Sequence, residues 1–133
     1  MILSIELKML LYSIILGLVQ LMAAAQTATK QKRMAWNLSP RDQDKNGPEL
    51  TGLAGRLDRA FKNFMQTFPF FVAAILIVQI TTLANGVSNT GAQIYFWARV
   101  VYLPLYAFGI PGVRTAVWLI SMIGLIMVLS ALF

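Results

Sequence analysis

Long runs of apolar residues constrain this chain more than any other feature of its sequence. The run "MLLYSIILGLVQLMAAAQTAT" covers residues 9–29, and "FMQTFPFFVAAILIVQITTLA" covers residues 64–84; neither contains a charged residue. Residues 94–110 and 115–133 are also mainly apolar, with Arg99 as the one charge inside the third run. A helix needs about 20 mainly apolar residues to cross the hydrocarbon core of a bilayer. The sequence therefore predicts an all-α integral membrane protein with a bundle of four transmembrane helices.

The composition agrees with a membrane environment. Of 133 residues, 58% are hydrophobic and only 12% are charged, which is too apolar for a surface that faces water. A chain of this length is expected to form one domain, residues 1–133. A secretory signal is the alternative for the first run, because "LMAAAQ" offers small residues at a possible cleavage site. Since Glu6 beside Lys8 leaves no net positive charge ahead of that run, we interpret it as the first transmembrane helix.

The distribution of positive residues predicts the orientation in the membrane. Eight of the eleven lysines and arginines lie between residues 30 and 62, whereas "NGVSNTG" at residues 85–91 has no charge. Cytoplasmic loops hold the excess of positive residues, so the first loop, residues 30–55, should be cytoplasmic and both termini should face outward. The net charge of +6 is mostly this topology signal, and we expect no nucleic-acid partner. So short a chain suits a bacterial inner membrane.

The second helix is predicted to begin before it enters lipid. Pro48 could be its first residue, with Asn46 or Gly47 as the cap, because proline is favoured at that position. A helix from about residue 48 to residue 84 would be on the order of 55 Å long, against a hydrocarbon core of about 30 Å. Two or three turns would then lie in the cytoplasm.

The residue types that are missing exclude many chemistries. The chain contains no cysteine and no histidine, so it has no thiol nucleophile, no imidazole base and none of the usual zinc or haem ligands. The four predicted spans contain no acidic residue, whereas proton- and cation-coupled transporters place carboxylates at membrane depth. The sequence therefore argues against a metal centre and against a coupled transporter.

Arg99 is the charged residue that lipid would disfavour most. An arginine at the middle of a span costs about 2.5–3.5 kcal/mol on insertion scales, so its side chain should face the bundle interior or a polar cavity. Tyr95, Tyr102 and Tyr106 share its helix face, because they lie four residues before it and three and seven residues after it. The structural alternative is an arginine that helix-end carbonyls hold and tyrosines pack against.

A second polar group precedes Pro69 on the second predicted helix. Arg59, Asn63 and Gln66 return to one helix face at spacings of four and three, with Lys62 beside them. The stripe is either a solvated helix start, as the positive-inside rule would produce, or a binding surface.

Polar groups from several segments are predicted to meet at the cytoplasmic face of the membrane. The predicted topology places five of them there: Arg33, Arg59, Asn63, Tyr106 and Arg114. Five such groups around one opening would suit a small, polar, anionic ligand.

Three motifs resemble those of a known family. "RAFKNFMQTFPFF" resembles the second-helix signature of the MAPEG proteins, the membrane-associated proteins of eicosanoid and glutathione metabolism. "ARVVYLPLY" is similar to their third-helix pattern Ala-Arg-x-x-Tyr-x-x-x-Tyr, and "RMAWNLSP" resembles the end of their first helix. The order and spacing of the motifs agree, and the resemblance covers almost the whole chain.

The resemblance implies a homotrimer of four-helix subunits with a glutathione site between neighbouring subunits, open to the cytoplasm. It implies glutathione as the co-substrate and a second, lipophilic small molecule from the bilayer. Arg114 matches the arginine that stabilises the glutathione thiolate, although one extra residue separates it from Tyr106 here. Five residues match positions that hold glutathione or line its site in the family: Arg33, Arg59, Asn63, Tyr102 and Tyr106. A sixth such position is occupied here by Gln66.

Gln66 is a departure from the family pattern, which has glutamate at this position. The family's carboxylate is expected to meet the ammonium group of glutathione. A hydrogen bond to a charged group contributes about 1.5–3 kcal/mol and a neutral one about 0.5–1.5 kcal/mol, so glutathione should bind about tenfold more weakly here.

Two functions therefore remain open. One is a glutathione-dependent transferase or peroxidase for a lipophilic electrophile; the other is a non-enzymatic membrane subunit or scaffold, with other membrane proteins as partners, in which the site has degenerated.

Overall fold

The computed structural model describes residues 2–32 and 50–133. These residues form four helices, α1 (Ile5–Lys32), α2 (Gly52–Ile80), α3 (Gly86–Ala107) and α4 (Val113–Ser130). The prediction of an all-α chain with four helices is confirmed for this part of the chain. Arg33, the "RMAWNLSP" motif and most of the predicted loop 30–55 lie outside the described residues.

The start of α2 differs from the prediction. Thr51, in extended conformation with φ −125° and ψ 166°, caps the helix, so α2 begins at Gly52 and not near residue 48. The physical reason is a pair of hydrogen bonds from the end of α1. The Gln31 side chain donates to the Thr51 carbonyl at 2.8 Å and accepts from the Thr51 N–H at 3.0 Å. The Thr51 carbonyl still accepts from the Gly55 N–H, but the Thr51 N–H is taken up by Gln31 and cannot donate to a carbonyl one turn earlier, as a longer helix would require. Pro48 itself lies outside the described residues.

Three of the four helices are long and apolar enough to cross a bilayer: Ile5–Gln31, Gly52–Ile80 and Val113–Ser130. The helix α3 falls short of this level because its first turns read "GVSNTGAQ" and its middle contains Arg99. Large apolar side chains are exposed along the outer faces of α1 and α4, as lipid contact requires.

Close contact between two glycines joins α3 to α4. A Cβ atom on Gly91 would lie 2.6 Å from the Gly124 carbonyl oxygen, and one on Gly124 would lie 2.6 Å from the Gly91 carbonyl oxygen. Only glycine fits at either position, so the two backbones approach each other directly. Small residues at helix contacts are typical of membrane bundles. The sequence alone did not indicate this pairing, because the two glycines lie on different helices.

Buried polar contacts connect the other helices. Ser88 near the start of α3 donates a hydrogen bond of 2.6 Å to the buried Glu6 carboxylate on α1. Tyr95 on α3 stacks on Phe71 of α2 with ring centres 4.0 Å apart, and its hydroxyl lies 3.0 Å from that of Thr67. The apolar core therefore lies among α1, α2 and α3, and α4 contributes Leu125 and Val128 from one side.

Candidate functional site

A polar cavity of about 330 Å³ opens at the end of the bundle where α3 finishes and α4 begins. Helix α2 forms its third wall. The residues that line it are Asn63, Tyr102, Tyr106, Arg114, Thr115 and Trp118. Four of the sequence-predicted site residues are therefore brought together: one from α2, two from α3 and one from α4.

Helical spacing explains how α3 and α4 supply these side chains. Tyr102 and Tyr106 are four residues apart on the last turns of α3, and their ring centres lie 5.6 Å apart. The chain then reverses through Gly109 and Gly112, whose φ angles of +70° and +75° favour glycine. This turn places Arg114 on the first turn of α4, with its Cζ 4.4 Å from the centre of the Tyr106 ring. The guanidinium is thus held against an aromatic face in the wall of the cavity.

Two polar atoms of the cavity-lining residues are buried without a hydrogen-bonding partner in the described part of the chain. They are Asn63 Oδ1, an acceptor, and Trp118 Nε1, a donor. Leaving such groups unpaired costs about 1–3 kcal/mol each. Together with the charge of Arg114, they form a set that matches a ligand with both anionic and N–H groups.

The remaining predicted site residues are not in this cavity. Arg59 and Gln66 are on α2, as Asn63 is, but both side chains are exposed in the single chain and do not line the cavity. Lys62, from the same stripe, pairs with Asp58 at 2.9 Å and is mostly exposed. Arg33 lies outside the described residues.

Arg99 is buried, with 1% of its surface exposed, as the cost of a charge in lipid predicts. Its Cζ lies 4.4 Å from the centre of the Tyr102 ring and 5.6 Å from that of Phe64. Its Nε and Nη1 atoms have no hydrogen-bonding partner among the described residues, so no helix-end carbonyl described there holds these two atoms. It does not line the cavity, but its neighbour Tyr102 does.

The sequence analysis missed three residues that build the site. Trp118 and Thr115 line the cavity, and the signal for Trp118 was its position one turn after Arg114 on the same helix face. Arg56 supports the end of α3, because its Nε donates a hydrogen bond of 2.7 Å to the Ala107 carbonyl. A long-range contact of this kind has no signal in sequence spacing.

The fold and the cavity define a helical membrane protein with a cationic, tyrosine-lined site near one end of its bundle. The sequence model of the MAPEG family matches residues 9–133, nearly the whole chain. The protein belongs to the MAPEG family and is an integral membrane protein. Comparisons with curated proteins and with solved structures give no significant match.

Proposed function

We propose that this protein is a glutathione-dependent transferase or peroxidase that acts on a lipophilic electrophile from the bilayer. MAPEG membership supports a glutathione-related function in a membrane protein. The observation that carries the proposal is Arg114, a guanidinium that packs on Tyr106 and lines a polar cavity. A cation beside a thiol favours the thiolate, which is the nucleophile in glutathione transfer.

The proposed roles follow from the cavity. Arg114 lowers the pKa of the bound glutathione thiol, and Tyr102 and Tyr106 offer hydroxyl groups to the ligand. Asn63 Oδ1 is an acceptor for an N–H group of the tripeptide. In a transfer reaction the thiolate sulfur forms a bond to the electrophilic carbon, while the electron pair of the broken bond leaves with the departing group.

Arg59 and Gln66 complete the proposed site from the exposed side of α2. A homotrimer would explain their exposure in the single chain, because a neighbouring subunit would bring its own cavity against them. Arg33 is proposed to join the same site. The proposed orientation has the first loop in the cytoplasm and both termini outward, in a bacterial inner membrane, so that cytoplasmic glutathione reaches the site.

A non-enzymatic subunit or scaffold is the second candidate, and Gln66 is the observation that favours it. Without the family's carboxylate, the ammonium group of glutathione loses a charged partner. Titration calorimetry of the purified protein with glutathione separates the two candidates. Binding at millimolar or lower concentration, with thiolate absorbance at neutral pH, supports the transferase. No binding at millimolar glutathione overturns it in favour of the scaffold.

A further inference from the structure

Arg99 is a buried cation without a counter-ion in the described part of the chain. The two acidic residues described there are engaged elsewhere: Glu6 accepts from Ser88, and Asp58 pairs with Lys62. Removing a guanidinium from water is strongly unfavourable unless partners compensate it, and here Nε and Nη1 have none. An apolar side chain of similar volume would fill the same space without that penalty. Packing alone therefore does not account for an arginine at this position.

A continuous series of side-chain contacts connects Arg99 to the cavity. Arg99 Cζ lies 4.4 Å from the Tyr102 ring centre, and the rings of Tyr102 and Tyr106 are 5.6 Å apart. Arg114 Cζ lies 4.4 Å from the Tyr106 ring centre. We call these four residues the aromatic column. One end of the column is inside the bundle, and the other end is the cation proposed to face the glutathione thiol.

We infer that Arg99 is a positioning residue of the proposed glutathione site, which holds the Tyr102 ring and adds a second positive charge that favours the bound thiolate. The inference rests on the proposed function. A charge in a protein interior is screened much less than one at the surface, so it acts over longer distances. Phe64, whose ring lies under the guanidinium, and Tyr95, which interacts with it electrostatically, are both uncharged, so neither offsets the positive charge of Arg99.

The test compares the pKa of the glutathione thiol bound to wild type, Arg99→Met, Arg99→Gln and Arg99→Lys. Thiolate absorbance is titrated against pH on the purified, assembled protein with saturating glutathione. The two neutral variants should raise the thiol pKa by roughly 0.5–1 unit, because they remove an interior positive charge that acts along the length of the aromatic column at an effective dielectric constant of about 20. Arg99→Lys should keep the thiol pKa close to the wild-type value. Lys8→Met removes an exposed charge and should leave it unchanged.

Thermal unfolding of the same variants separates this role from a structural one. Arg99→Met removes an unpaired buried charge, so its melting temperature should equal or exceed that of wild type while the thiol pKa rises.

An unchanged thiol pKa in neutral variants that bind glutathione overturns the inference and leaves the proposed function standing. If only Arg99→Lys assembles and neither neutral variant does, the charge is structural and the inference is wrong. If wild type binds no glutathione at millimolar concentration, the proposed function fails and this inference fails with it.

Discussion

At the scale of single residues, the candidate site depends on where charge lies relative to the cavity. Arg114 is half-buried on the Tyr106 ring, whereas Gln66 is exposed on α2. Two charged groups interact more strongly in the protein interior than at the surface, where solvent and salt screen them. The two residues therefore lead to separate predictions.

Arg114→Ala should raise the pKa of the glutathione thiol bound to the protein, because it removes the cation nearest to the proposed thiolate. At neutral pH a larger fraction of the bound glutathione should be thiolate in wild type than in the variant. This difference should vanish at a pH well above the thiol pKa of free glutathione. The measurement is a pH titration of thiolate absorbance with glutathione saturating. Arg114→Lys is the matched control and should retain part of the shift. An unchanged thiol pKa in an Arg114→Ala variant that binds glutathione would show that Arg114 is only an interfacial anchor.

Gln66→Glu should tighten glutathione binding about tenfold, because a carboxylate would meet the ammonium group with a charged hydrogen bond. Calorimetry of wild type against the variant measures this change. Thr90→Glu, at an exposed position on the first turns of α3, controls for a change of net charge alone. If wild type binds tightly and Gln66→Glu weakens binding, the site exists but Gln66 does not face the ammonium group.

At the scale of helices, direct backbone contact decides how α3 and α4 associate. Gly124→Ala should destabilise the protein by about 1–3 kcal/mol, because the new Cβ would lie 2.6 Å from both the Gly91 carbonyl oxygen and the Tyr95 nitrogen. Gly86→Ala is the matched control, since a Cβ there meets nothing within 4 Å. Thermal unfolding in detergent should show a lower melting temperature for the first variant alone. Equal melting temperatures would mean that α3 and α4 can move apart far enough to accept the added methyl group without loss of stability.

At the scale of the whole molecule, topology can be tested with single cysteines because the chain has none of its own. Ala84→Cys, exposed in the turn between α2 and α3, and Gln43→Cys, in the predicted first loop and outside the described residues, should label from opposite sides of the membrane. The positive-inside rule predicts that the Gln43→Cys thiol is cytoplasmic. Membrane-impermeant maleimide on sealed and on opened vesicles makes the measurement. Labelling of both thiols from one side would contradict four membrane crossings.

The sequence determined the helical class, the four helices of the described residues and the interior position of Arg99, because hydrophobic length and the cost of a charge in lipid act on local sequence alone. It also grouped Tyr102 with Tyr106, because both lie on one face of a single helix. Only the tertiary structure decided where α2 begins, since the Gln31 side chain that bonds Thr51 belongs to another helix. The same holds for the Gly91 and Gly124 contact and for the place of Trp118 beside Asn63 in the cavity. These features depend on contacts between distant segments, and helical periodicity carries no information about which helix faces which.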